Sequence, residues 1–219
     1  VTVYEGYGLT ETTGPLCVNT PQLTKIGTVG PTLPPMRLKI SDEGEVLVKG
    51  AAVFQGYHNR PDLTAAAFDK DGWFRTGDLG SIDKDGYVRI TGRMKEVIVT
   101  AGGKNVIPST LEDSLRGHPL ISQVVVVGDQ RPFIGALVTL DAEMMQIWLK
   151  NKGLPSLTVG QAARHPEVLA SLSQAIDRAN EGVSRAESIR KFHVLPTDFT
   201  EANGLMTPST PLGWWWTVV

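Results

Sequence analysis

Gly92-Arg93-Met94-Lys95-Glu96 divides the chain into two stretches written in different patterns. Upstream, the short β-prone runs Arg37-Leu38-Lys39-Ile40 and Glu45-Val46-Leu47-Val48 are separated by Pro34-Pro35 and Asp42-Glu43-Gly44, which is hairpin punctuation. Two Asp-Gly pairs, Asp71-Gly72 and Asp85-Gly86, each stand beside further β-prone residues and mark tight turns, so the sheet is expected to run to about Thr91. Another β-type run (Val1, Val3, Tyr4) leads into the Gly/Thr-rich segment from Gly6 to Pro15. A single helix interrupts this region at Leu63 to Phe68, with Asp62 as its N-cap and Ala65 to Ala67 as good formers. Downstream, Val97 to Val106 reads as a hairpin with a glycine tip, followed by a helix from Pro108 to Leu115 capped by Ser109 or Thr110, then strands at Val124 to Val127 and Ile134 to Leu140. In a later helix Val168, Leu172, Ile176, Ala179 and Val183 step by four, four, three and four, giving one apolar stripe at helical period. The expected fold is therefore α+β: a β-rich, barrel-like part over residues 1–94, then a small α+β domain over 95–219, in which 210–219 is an atypical tail.

Composition narrows the function before any motif is considered. At roughly 150 residues per domain, 219 residues make one or two domains. Lys and Arg total 21 against 23 Asp and Glu, a net charge of −2, which excludes the basic excess of a protein that neutralises many phosphates, so no nucleic-acid partner is expected. With 41% hydrophobic and 20% charged residues the chain has material for a core and too little charge for disorder. No apolar run reaches the roughly 18 residues of a membrane span, and Val1-Thr2-Val3-Tyr4-Glu5 carries no basic flank or signal core. Cys17, the sole cysteine, has no partner for a disulfide and no neighbours at zinc-ligand spacing. The cytoplasm is the expected compartment.

Three separated segments carry candidate chemistry. Tyr7-Gly8-Leu9-Thr10-Glu11 sets an aromatic face, a glycine that permits close backbone approach, a hydroxyl and a carboxylate within five residues, as a nucleotide site with a metal requires; a strand-to-turn corner with Tyr7 in the core is the plain alternative. Thr76-Gly77-Asp78 ends a turn with a carboxylate able to accept both ribose hydroxyls, or is an ordinary Asx-turn. Arg93 and Lys95, followed by Gly102-Gly103-Lys104, place cations near a flexible glycine tip, suited to an anionic ligand at a domain junction or to nothing beyond a solvated hairpin. His58, His118, His165 and His193 are scattered without metal spacing and are expected in surface or capping roles. Trp73 and Phe74 are expected in the core, and the Val168 to Val183 stripe is expected to pack, a peripheral membrane contact being its alternative.

In this order and at these separations the segments resemble the adenylate-forming superfamily of acyl-CoA synthetases, luciferases and peptide-synthetase adenylation domains, from Val1 to about Ser209. Gly102 to Pro108, Asp198-Phe199-Thr200-Glu201 with Asn203 to Ser209, and the helical insert around Leu149 to Ile189 look most like bacterial long-chain fatty-acid–CoA ligases. The resemblance implies a fatty acid, ATP and CoA as substrates, with Mg²⁺: the acid is joined to AMP with release of pyrophosphate, and the CoA thiol then displaces AMP. It further implies that Tyr7 stacks on adenine with Gly8 beside it, that Thr10 touches the α-phosphate, that Glu11 holds Mg²⁺, and that Asp78 and Arg93 bind the ribose. Lys95 falls at the family's hinge, Gly102 and Gly103 at the hairpin lining the pantetheine tunnel, and Lys104 where it meets CoA phosphates. Two departures stand out. The family's Ser/Thr/Gly-rich phosphate loop lies upstream of Val1, and Pro211 falls about where a terminal lysine belongs, followed by Trp214-Trp215-Trp216. The chain is accordingly expected to be a fragment, inactive by itself. The alternative reading of the 219 residues is a non-catalytic remnant that at most binds nucleotide or self-associates.

Overall fold

The structure, a computed structural model, describes residues 2–204. It contains two compact units, the first ending at Glu96 and the second beginning at Val97. Met206 to Ser209, Pro211 and the tail lie outside the described residues.

In the first unit β1 (Gly6–Leu9) and β2 (Gly14–Val18) form an antiparallel pair. A four-stranded antiparallel meander follows, made of β3 (Arg37–Ile40), β4 (Glu45–Lys49), β5 (Phe74–Ile82) and β6 (Val88–Arg93) in sequential order. Residues 29–33 stitch the two sheets together. Val29 and Gly30 exchange backbone hydrogen bonds with Val88, Thr32 bridges to Cys17, and the Leu33 amide donates to Leu16. The result is one curling wall whose sealed centre is Leu16, Cys17, Val46, Val48 and Val88, all fully buried. At about 1.5–3 kcal/mol for burying a large apolar side chain, this cluster is what pays for closing the wall. Two copies of one turn flank β5: the Asp69 carboxylate accepts from the amides of Asp71 and Trp73, and that of Asp83 from those of Asp85 and Tyr87. Gly72 and Gly86 take the left-handed positions of these turns, at φ 74° and 84°.

Local expectations shift at several points. Val3 and Tyr4 do not begin a strand, since β1 starts at Gly6, and Val1 lies outside the described residues. The helix α1 (Pro61–Ala67) is capped at Arg60, because Pro61 fits the first helical position, and Asp62 lies inside the first turn paired with Arg60. Phe74 is core, but Trp73 is only half-buried, its ring lying under Lys39 at 4.4 Å.

The second unit opens with the two-residue strands β7 (Ile98–Val99) and β8 (Asn105–Val106), then α2 (Pro108–Arg116), β9 (Ile121–Val127) and β10 (Ile134–Leu140). Here too proline sets the helix start: Ile107 is the N-cap and Pro108 the first residue, so neither Ser109 nor Thr110 caps α2. Next come α3 (Ala142–Asn151), α4 (Val159–Ala162) and α5 (Pro166–Asn180), and β11 (Ile189–Val194) returns parallel to β10, in the order β11-β10-β9. Val168, Leu172, Ile176 and Ala179 of α5 are buried in the core this sheet shares with α2 and α3, so the stripe is packing; Val183 lies past the helix end.

Candidate functional site

Asp78 is the centre of the first unit's polar constellation. The strand carrying it is not regular. Glu45 of β4 pairs with Leu79 and Leu47 with Arg75, so β5 spends four residues where β4 spends two, and Gly77 sits in this bulge at φ 73°. Bulges re-aim side chains beside functional sites. Thr76-Gly77-Asp78 is therefore a bulge inside a strand rather than the end of a turn. Two groups hold its shape. The Glu45 carboxylate, only 3% exposed, accepts from the Gly77 amide at 3.0 Å and from Arg75 Nε at 3.1 Å, while the Thr76 hydroxyl donates to the Val46 carbonyl at 2.8 Å and accepts from the Asp78 amide at 3.1 Å.

Onto this fixed carboxylate converge two of the residues singled out from distant sequence. The Tyr7 hydroxyl donates to Asp78 Oδ2 at 2.6 Å, and Arg93 Nε donates to Oδ1 at 2.9 Å. Asp78 is buried, whereas the Arg93 side chain is 59% exposed and forms the solvent face of the trio. Burial, reinforced by the hydrogen bond to Asp78 and its charge, pushes the Tyr7 hydroxyl well above the ordinary phenol range, so it remains a donor at any physiological pH. A carboxylate offers about four lone-pair directions, and two are used here, leaving acceptor capacity for vicinal hydroxyls alongside the Arg93 guanidinium. Tyr7 also packs its half-buried ring on the apolar centre of the wall, so it serves the core and the polar cluster together.

Between β1 and β2 the chain makes a 3-10 turn, Thr10–Thr12, that exposes Thr10 and half-buries Glu11. The Thr12 hydroxyl closes this turn, accepting from the Leu9 amide at 3.0 Å, its single proton lying within reach of both the Leu9 and the Gly14 carbonyl. Gly8 has an internal reason to be glycine, because a Cβ there would stand 2.1 Å from the Gly14 carbonyl oxygen. Glu11 Oε1 accepts from the Tyr57 hydroxyl at 2.9 Å. Among the described residues no group of three or more His, Cys, Asp or Glu could enclose a metal. A lone carboxylate suits Mg²⁺, which typically binds one or two carboxylates together with phosphate oxygens and water.

Lys95 is exposed in a second 3-10 turn, Met94–Glu96, directly after Arg93. In the second unit, Gly102 and Gly103 form the tip between β7 and β8. Gly103 takes φ 75°, and no described atom lies within 4 Å of a Cβ placed on it. Lys104 ion-pairs with Glu187 at 3.4 Å. None of the four histidines shares a metal cluster with another described residue, and His118 bridges the Leu120 amide and the Ser171 hydroxyl. Sequence reasoning missed Glu45 and Tyr57. An acidic residue opening an otherwise apolar strand was a usable signal for Glu45, but nothing local marks Tyr57, whose partner lies 46 residues away.

The first unit thus brings together a buried carboxylate on a bulged strand, with a tyrosine and an arginine on its two oxygens, and carries a separate acidic turn. The chain belongs to the AMP-binding enzyme family: the model of the AMP-binding enzyme C-terminal domain matches residues 95–210, and that of the AMP-binding enzyme matches residues 1–58. Among its relatives is the long-chain-fatty-acid–CoA ligase FadD15 of Mycobacterium bovis, 54% identical over 210 residues, which cover 95% of this chain and 35% of that protein. The chain thus spans about a third of the length of the curated relatives it matches. The O-succinylbenzoate coenzyme A synthetase MenE of Bacillus subtilis, solved with ATP and magnesium ion, is 26% identical with a TM-score of 0.65 over 88% of this chain and 38% of its own. ATP-bound MatB of Rhodopseudomonas palustris is 29% identical with the same TM-score, over 89% and 37%.

Proposed function

We propose that the chain is the nucleotide-clamping and thioester-forming portion of a long-chain fatty-acid–CoA ligase that works in the cytoplasm. The observation that carries this is the meeting of Tyr7, Asp78 and Arg93, from three segments, on a carboxylate whose strand is bulged to present it. In the first half-reaction a carboxylate oxygen of the fatty acid attacks the α-phosphorus of ATP, the Pα–O–Pβ bond breaks and pyrophosphate leaves. In the second, the CoA sulfur attacks the acyl carbonyl, AMP leaves, and the thiol proton passes to solvent. Asp78 and Arg93 bind the ribose hydroxyls, and Tyr7 with Gly8 forms the adenine wall. Thr10 donates to the α-phosphate, and Glu11 holds Mg²⁺, which neutralises phosphate charge when bound. In the second unit, Gly102 and Gly103 leave room for the pantetheine thiol and Lys104 faces the CoA phosphates.

Two measurements test this. The 219-residue chain is titrated with AMP by calorimetry, with the expectation that Asp78→Asn weakens binding about tenfold or more, as loss of a charged acceptor for two hydroxyls demands. In parallel, the matched segment of the M. bovis ligase is replaced by this chain and thioester formation is followed across a fatty-acid length series. ATP- and CoA-dependent thioester formation peaking at long acids is expected. A folded chimera that forms no acyl-adenylate, together with AMP binding indifferent to Asp78, would sink the reading.

A further inference from the structure

The segment from Gly50 to Tyr57 lies between β4 and α1 and has no regular structure, yet it is pinned at three points to the acidic turn. The Phe54 amide donates to the Glu11 carbonyl at 2.8 Å, the Thr13 hydroxyl donates to the Ala52 carbonyl at 2.9 Å, and the Tyr57 hydroxyl donates to Glu11 Oε1 at 2.9 Å. Its far end is anchored as well. The Tyr57 amide donates to the Thr64 hydroxyl of α1 at 2.9 Å, and Gly56, at φ 150°, leaves no room for a side chain, since a Cβ would fall 2.6 Å from Thr64. The Phe54 ring meets Tyr57 edge-on at 4.8 Å and Phe74 at 5.4 Å, and it stacks on Phe68 at 5.9 Å. Phe74 belongs to β5, the strand that bears Asp78. One aromatic strap therefore ties the carboxylate of the acidic turn to the strand of the ribose-facing carboxylate.

We propose that Tyr57 is a positioning residue for Glu11: its hydroxyl fixes one carboxylate oxygen and so presets the other as the ligand for a nucleotide-bound divalent cation. A free glutamate gives up rotamer freedom when it is ordered, and a side chain already held by a neighbour loses less on binding. The phenol suits this task. An ordinary phenol is protonated at neutral pH, so it donates to the carboxylate. The proposal rests on Glu11 being the magnesium-facing carboxylate, and it adds a residue that never touches metal or nucleotide.

The test uses the 219-residue chain and Tyr57→Phe, which keeps the ring against Phe54 and removes only the hydroxyl; its thermal midpoint and near-ultraviolet spectrum verify the fold. AMP binding is measured without metal, and ATP binding is measured calorimetrically against MgCl₂ concentration. The expectation is AMP affinity within about twofold of the parent chain and a Mg²⁺ midpoint raised about tenfold, the usual scale for losing a residue that orients a metal ligand. Glu11→Gln is expected to abolish the Mg²⁺ response. An unchanged midpoint in Tyr57→Phe, with Glu11→Gln shifted, overturns the role of Tyr57 alone. If neither variant shifts it while AMP binding still needs Asp78, the assignment of Glu11 falls and the proposal with it. AMP binding that is absent or independent of Asp78 overturns the nucleotide reading itself.

Discussion

Single residues show how far local chemistry reaches. Glu11, Asp78 and Arg93 were legible as candidates because charged side chains in glycine- and threonine-rich segments suit phosphates and sugars; that two of them share one ion pair was not legible. His118 makes the same point about titration. Its Nδ1 accepts the Leu120 amide at 3.3 Å, so Nε2 carries the proton toward Ser171 at 3.2 Å. Burial, and secondarily the charge of Arg178, depresses its pKa below the ordinary imidazole value of 6.5. A depressed folded-state value means that the stability linked to this group is complete above the unfolded-state pKa and is lost as pH falls toward the lower, folded one. The thermal midpoint of the second unit is expected to drop by a few degrees between pH 7 and pH 5, and His118→Gln is expected to flatten that slope. A slope equally steep in the variant would assign the acid sensitivity elsewhere.

At the scale of elements, strands were easier to find than the irregularity that gives one of them a purpose. Arg37–Ile40 and Ile134–Leu140 were legible to the residue, because β-prone runs bounded by turn signals leave little freedom. The β5 bulge was not, because Thr76-Gly77-Asp78 is as compatible with a turn as with a strand until β4 supplies Glu45 as the acceptor for Gly77. Glu45→Ala leaves that amide without its acceptor and Arg75 without its partner, at a cost of about 2 kcal/mol, the exposed half of the pair adding little. A lower urea midpoint is expected together with weaker AMP binding, since the bulge aims Asp78. Weaker folding with unchanged AMP affinity would show that the bulge is scaffolding only. Helix starts moved for one reason in both units: Pro61 and Pro108 occupy first helical positions, so the polar residues after them cannot be caps.

At the scale of the whole molecule the chain divides into a β-rich and an α+β unit. Each unit has its own apolar core, and Lys95 lies in the 3-10 turn where the first ends. We propose that Lys95 is the hinge between the two half-reactions, because a short irregular turn can absorb φ/ψ changes that a strand or core cannot. Proline at this position fixes φ near −65° and removes an amide donor. In the chimeric ligase, Lys95→Pro is expected to slow one half-reaction on the order of tenfold more than the other, with pyrophosphate exchange reading adenylation and supplied acyl-AMP reading thioester formation. Equal rates in both assays would refute the hinge. By itself the sequence determined the two-part α+β plan, most strands, the buried stripe of α5 and the residue types of the candidate site, because hydrophobic period and turn chemistry are local properties. Only the tertiary structure decided that Tyr7, Asp78 and Arg93 share one carboxylate, that Glu45 shapes the bulge beneath it, and that Tyr57 holds Glu11. Those contacts join residues 15 to 71 positions apart, and they exist because an apolar centre curls the wall, not because of any pattern along the chain.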